Sequence, residues 1–172
     1  MERWFREATF TLLLASILST LIVLSNLELV QATKYSLCDK DKTDSEVSNL
    51  IISQCETLQD TCPFVRGTNK TIELDFTPKK KAEQVKVKVA GKISHLPVPF
   101  HIKPDNACGN YGFDCPLEPN KPYKFKLSLP ILKTYPKRNV DILLRLLDES
   151  DHEIVCVEIP ARIQDPQTDS AT

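Results

Sequence analysis

The sequence predicts an all-β fold, an antiparallel β-sandwich, and three observations predict it. Apolar and polar residues alternate with period two in several short segments rich in β-branched and aromatic side chains, the pattern of half-buried strands. These segments recur with Pro- and Gly-bearing turns between them, as in a sandwich of many short strands. No window holds a sustained helical period.

The chain opens MERWFREATFTLLLASILSTLIVLSNLELVQA, in which Arg3 and Arg6 make a charged start and residues 10–24 form an apolar run without a charge. Val30-Gln31-Ala32 then supplies the apolar and small residues that signal peptidase prefers. That is the layout of a secretory signal peptide over 1–32, cut after Ala32. A signal anchor is the rival reading, but a bilayer span needs about 20 apolar residues and this run is shorter. Processing takes Arg3 and Arg6 from 22 basic residues, and Glu2, Glu7 and Glu28 from 23 acidic ones, leaving 20 of each. A balanced charge gives no electrostatic case for nucleic acid. The expectation is one soluble, monomeric domain over 33–164 and a polar, frayed tail over 165–172.

Six cysteines, Cys38, Cys55, Cys62, Cys108, Cys115 and Cys156, all fall after the leader. An even number in a secreted chain implies a disulfide framework. Fifteen pairings exist for six cysteines and spacing does not choose among them. The short Cys55/Cys62 and Cys108/Cys115 intervals suit two local loops. Zinc is disfavoured, because there is no C-x-x-C and only three histidines are present. No metal and no cofactor are expected.

The strands follow in order. Residues 71–76 (TIELDF) put Ile72, Leu74 and Phe76 on one face and Glu73 and Asp75 on the other. Residues 85–89 (VKVKV) and 123–129 (YKFKLSL) repeat the pattern with lysines outward, and 140–147 and 154–159 are longer, more apolar strands. Residues 95–102 (HLPVPFHI) are the anomaly. Pro97 and Pro99 cannot donate to a β-ladder, yet they sit among Leu96, Val98, Phe100 and Ile102. Prolines that stop lateral pairing would let a sheet edge peel outward. The apolar side chains beside them would then line a slot between sheets that normally stack about 10 Å apart.

The run LPVPFHIKPDNACGNYGFDCP, followed by LPILKTYP and then IVCVEIP, resembles the Niemann-Pick type C2 sterol-transfer family, one of the ML lipid-recognition domains. The resemblance covers residues 38–163. It implies an immunoglobulin-like antiparallel β-sandwich with a hydrophobic tunnel between the sheets, and the pairs Cys38–Cys156, Cys55–Cys62 and Cys108–Cys115. It places Val98 and Phe100 at the tunnel entrance, with Ile131, Tyr135 and Pro136 around the opening and the two aromatic rings moving aside as ligand enters. Phe64, Val89, Ile93 and Leu144 fall on the deeper wall. Two departures matter. Sterol-carrying relatives have a tryptophan where this chain has Leu144, which changes the shape of the inner pocket. They also have a glycan acceptor at the position of Glu73, whereas this chain offers the sequon Asn69-Lys70-Thr71.

Each site has a plainer reading. Val98 and Phe100 would be ordinary core on pattern alone, and Tyr135 an ordinary rim residue with its hydroxyl in water. Lys79-Lys80-Lys81 with Lys86, Lys88 and Lys92 read as a solvated face guarding an edge strand. Transient attraction to anionic membranes is the functional alternative. Catalysis has little support, since there is no G-x-S-x-G and the histidines lack metal-ligand spacing. His95 and His101 flank the expected mouth; the plainer reading is surface histidines with no role. The function expected is therefore a secreted or endolysosomal, glycosylated lipid carrier, not an enzyme. It would bind cholesterol or a similar hydrophobic small molecule and hand it to a membrane or a membrane sterol-acceptor protein. The alternative is an extracellular recognition protein that presents a lipid or semiochemical to a receptor.

Overall fold

The computed structural model describes residues 34–38, 43–55, 60–94 and 96–167. The leader over 1–32, His95 and the last five residues of the tail lie outside the described residues.

The alternation in TIELDF extends backward and forward into one ten-residue strand. In chain order the strands are β1 (Ser36–Leu37), β2 (Ser45–Ile52), β3 (Cys62–Val65), β4 (Asn69–Pro78), β5 (Lys86–Ile93), β6 (Leu96–Phe100), β7 (Tyr123–Pro130), β8 (Asn139–Leu147) and β9 (Glu153–Gln164). Among the described residues there is no helix. The larger sheet runs β1-β9-β8-β5-β6, with β3 also alongside β9, and the smaller runs β2-β4-β7. All pairings are antiparallel except one, β3 with β9, which is parallel. The architecture is the antiparallel sandwich that the alternation predicts, with that one parallel pair added.

Register in the smaller sheet follows from both faces of β4. Inward, Ile72, Leu74 and Phe76 are fully buried. Outward, Glu73 stands opposite Lys126 and Asp75 opposite Lys124, with ion pairs of 2.7 and 3.8 Å. A one-residue slip would put carboxylates in the core and apolar rings in water, so the charge pairs and the burial select the same register. Strand β2 escapes a pattern reading because a bulge between Val47 and Asn49 shifts its inward phase, so that Ser45 is buried at one end and Leu50 and Ile52 at the other. Short β3 is similarly hidden in CPFV, four residues with only Phe64 as an apolar landmark pointing in.

Two expectations are corrected. Pro97 and Pro99 do not stop pairing: β6 pairs with β5 through all five residues, from Ile93↔Leu96 to Val89↔Phe100. The two prolines lie two apart and so share one phase of the ladder. Because β6 is the edge of its sheet, Leu96, Val98 and Phe100 can serve its single neighbour while the prolines face outward without loss. The lysines of β5 do not guard an edge either, since β5 lies between β8 and β6. Lys86 and Lys88 approach Asp151 at 3.2 and 3.7 Å, and Lys92 pairs with Glu158 at 2.9 Å. These pairs offset part of the local positive charge on the outer face.

Three disulfides staple the sandwich: Cys38–Cys156, Cys55–Cys62 and Cys108–Cys115. The first ties β1 to β9 beside their pairing at Ser36↔Glu158 and Leu37↔Val157, and closes a loop with a sequence separation of 118. Between the sheets lies one continuous apolar layer that includes Phe64, Phe76, Phe125, Leu127, Ile142 and Leu144. At about 1.5–3 kcal/mol for each large apolar side chain buried, this layer is the main source of stability.

Candidate functional site: an apolar mouth at the edge of the larger sheet

The ends of β3, β5, β7 and β9 and the starts of β4, β6 and β8 lie at one end of the sandwich, as their registers require. On β6, residues 96, 98 and 100 share a face, set opposite Ile93, Gly91 and Val89 of β5. In a closed core that face would be buried. Here Leu96 is 71 % exposed and Val98 52 %, and Phe100 is half-buried. Large apolar side chains left in water along a sheet edge mark an interaction or ligand surface.

The ring of Phe100 leans over Gly91. A Cβ built on Gly91 would lie 3.3 Å from Phe100 Cε2 and 3.1 Å from Val140 Cγ2, so the missing side chain is what seats the ring. Across from it stands Tyr135, edge-on to Phe100 with ring centroids 5.2 Å apart. Burial pushes the Tyr135 hydroxyl pKa up, which keeps it a neutral hydrogen-bonding group. Leu132, on the same loop, is 48 % exposed.

The two lips of this mouth are built differently. The Tyr135 lip is clamped. Gly67 N–H donates to Ile131 O at 2.6 Å, and Ile131 N–H donates to Thr68 O at 2.8 Å. Arg66 donates to the carbonyls of Lys133 and Tyr135 and pairs with Asp165. The Phe100 lip is an edge strand with a neighbour on one side only. After it, the chain crosses to the smaller sheet, where Lys126 N–H donates to Tyr111 O at 2.8 Å. A cavity of about 520 Å³ opens on that crossing, with His101, Ile102, Tyr111, Leu127, Ser128 and Pro130 in its walls.

The sequence-selected residues separate into two depths. Val98, Phe100, Tyr135 and the exposed Pro136 stand at the rim, and Ile93 is half-buried just behind it. Phe64, Val89, Ile131 and Leu144 are buried in the layer between the sheets. These side chains belong to one buried apolar cluster. Asn69 is exposed at the start of β4, opposite Pro130. His101 is exposed, and His152 lies 3.5 Å from Asp148 on a turn of the other end.

Three contributors were not singled out from the sequence: Gly91 under the ring, Arg66 behind the clamped lip, and Lys70. Only Lys70 left a signal. It is in phase with Ile72, Leu74 and Phe76, and alternation extended by two residues puts it inside.

An edge-strand mouth over a buried apolar layer, in a disulfide-stapled sandwich, is the build of a lipid-recognition domain. A family model described as the ML domain matches residues 32–163, and the chain belongs to that family. The match bears out the resemblance carried by LPVPF, LPILKTYP and IVCVEIP. The chain is 35 % identical over 133 residues to NPC intracellular cholesterol transporter 2 homolog a of Drosophila melanogaster, covering 77 % of this chain and 88 % of that one. It is 30 % identical over 142 residues to NPC intracellular cholesterol transporter 2 of Danio rerio, covering 83 % and 93 %. Among solved structures it is similar to a Niemann-Pick type C2 protein from Japanese carpenter ant, with a TM-score of 0.71 and 27 % identity over 76 % of this chain and 99 % of that one.

Proposed function

We propose that this protein is a carrier that binds a sterol or a similar apolar molecule between its sheets. It passes that molecule to a membrane or an acceptor protein and catalyses no reaction on it. The observation that carries this reading is the Phe100–Tyr135 pair: a half-buried aromatic gate, one lip clamped and one free, standing over a buried apolar cluster. The names of the Drosophila and Danio relatives support the ligand class. Three disulfides support a working place in the secretory pathway, the extracellular fluid or the endolysosomal lumen.

The mechanism follows from packing. Displacing Phe100 costs little, because an edge strand gives up few contacts when its ring swings out. The ligand then replaces water with Val89, Ile131, Leu144 and Phe64, gaining about 25 cal/mol per Å² of apolar surface buried. Leu144 leaves more room than a tryptophan would at that point in the wall, which favours a broad ring system or a branched ligand.

Phe100→Ala tests the gate. Truncating a fully buried Phe costs about 3–5 kcal/mol in folding. A gating Phe costs clearly less in folding and more in binding. The expected result is a melting curve close to the parent's, with affinity for a fluorescent sterol weakened about tenfold or more, 1.4 kcal/mol or above. Strong destabilisation with sterol affinity unchanged would make Phe100 ordinary core.

A further inference from the structure

The crossing that follows Phe100 leaves part of β7 open. Strand β7 is an edge of the smaller sheet, and the crossing chain covers it at Lys126, whose N–H donates to Tyr111 O at 2.8 Å. Two residues further along β7, Ser128 stands opposite Thr71 of β4. Thr71 turns its backbone the other way: its N–H donates to Ser53 Oγ at 2.9 Å, and its C=O accepts from Ser53 N–H at 2.9 Å. In an antiparallel pair, opposed residues either exchange both ladder bonds or both turn their groups outward. Ser128 therefore turns its N–H and C=O to the open edge of β7, in the same phase as Lys126. An open edge is a template for any group that offers a matching donor and acceptor.

The cavity of about 520 Å³ on this crossing lies over that edge. Its walls include Ser128 and Pro130 of β7, Thr71 of β4, and Ile102, Asn110 and Tyr111 of the crossing chain. Apolar surface with a few convergent polar groups, at such a volume, is the make-up of a small-ligand site. The polar groups here are an open backbone edge and the hydroxyls of Thr71 and Ser128. A hydroxyl-bearing ring that carries a secondary amide of its own matches them. N-acetylhexosamine is such a ring: its acetamido group offers one N–H and one C=O, as a neighbouring strand does.

Asn69, the sequon asparagine, stands beside this cavity. It is exposed on the outward face of β4, in phase with Thr71 and directly opposite Pro130. These two wall residues flank it at Cα separations of about 7 and 5 Å. The first sugars of an N-glycan are N-acetylglucosamine, so a glycan on Asn69 brings acetamido groups to the open edge while still tethered. Tethering supplies an effective concentration in roughly the millimolar range, enough for a site that makes few contacts. We propose that the core of the Asn69 glycan folds into this cavity, with an acetamido group paired to the Ser128 edge. Seated there, it braces residues 101–103, just behind the Phe100 lip. This goes beyond the carrier reading, and it rests on Asn69 bearing its glycan.

The test is hydrogen exchange of the whole secreted chain from a glycosylating host, intact and as Asn69→Gln, with mass reporting whether the glycan is present. The expected result is exchange at residues 101–103 at least about threefold slower in the glycosylated chain, the protection given by a tethered ligand at a few times its dissociation constant. The turn at residues 148–152, at the other end of the sandwich, should exchange alike in both. Ser128→Pro in the glycosylated chain removes the N–H that the acetamido carbonyl takes, and an edge strand tolerates proline in that phase. It should return residues 101–103 to the Asn69→Gln rate. Equal exchange at 101–103 in the intact chain and Asn69→Gln would overturn the seat, as would slowing spread evenly over both ends. Protection that survives Ser128→Pro would overturn the pairing with the edge. The comparison with Asn69→Gln stands without the Ser128 variant, so poor folding of that variant does not blunt it. An intact chain without glycan mass would instead defeat the use of the sequon, and the proposal with it.

Discussion

Gly91 shows how much of the mouth rests on one absent side chain. Its φ is ordinary for a strand, so conformational freedom is not its purpose. What matters is the space that Phe100 and Val140 close over it. Gly91→Ala places a methyl 3.1 Å from Val140 Cγ2 and 3.3 Å from Phe100 Cε2, closer than either settles comfortably. Val140 is buried and held, whereas Phe100 is on the free lip, so the phenyl ring is what moves. The prediction is a stability loss below about 1.5 kcal/mol, at the mild end of overpacking. Sterol affinity should change several-fold at the same time, read by thermal melting and a fluorescent sterol titration. Unchanged affinity would mean that the ring does not depend on Gly91 for its seat. Pro97 and Pro99 carry the complementary lesson. Their chemistry suggests a break in pairing, but β6 pairs with β5 through all five residues, and its place at the sheet edge is what accommodates the prolines.

Strands with clean alternation were legible, and those disturbed by a neighbour's needs were not. TIELDF, VKVKV and YKFKLSL lie within β4, β5 and β7, because one face of each meets the core and the other meets water. Strand β2 was missed because its bulge moves the apolar residues from one phase to the other. Strand β3 was missed because four residues hold too little pattern, and its parallel partner β9 is a hundred residues further on. The outward phase of β4 begins at Asn69, which is exposed and lies opposite Pro130. We propose that this asparagine is the glycan acceptor, as its sequon allows. Protein from a glycosylating host should lose mass on glycosidase treatment and Asn69→Gln should not; an unchanged parent mass would remove the site.

At the scale of the molecule, the site is divided between parts a sequence shows well and parts it shows poorly. The family was readable because PVPF, LP-x-x-x-x-YP and C-x-E-I-P are specific in combination, and the family match over 32–163 agrees. The asymmetry of the lips was not, since it depends on Gly67, Thr68 and Arg66 meeting a loop some sixty residues away. Nor was the burial of Lys70 weighed, though it is in phase with the apolar row of its own strand. Stapled, buried strands hold the frame of the sandwich, while β6 at the edge has a neighbour on one side only. The carrier function turns on the apolar layer between the sheets accepting a ligand. The direct measurement is a titration of the purified protein with a fluorescent sterol, in the presence and absence of a water-soluble quencher. The account predicts saturation at one sterol per chain, with the bound sterol shielded from the quencher. A signal that never saturates, or a bound sterol quenched as fully as one in water, would contradict it.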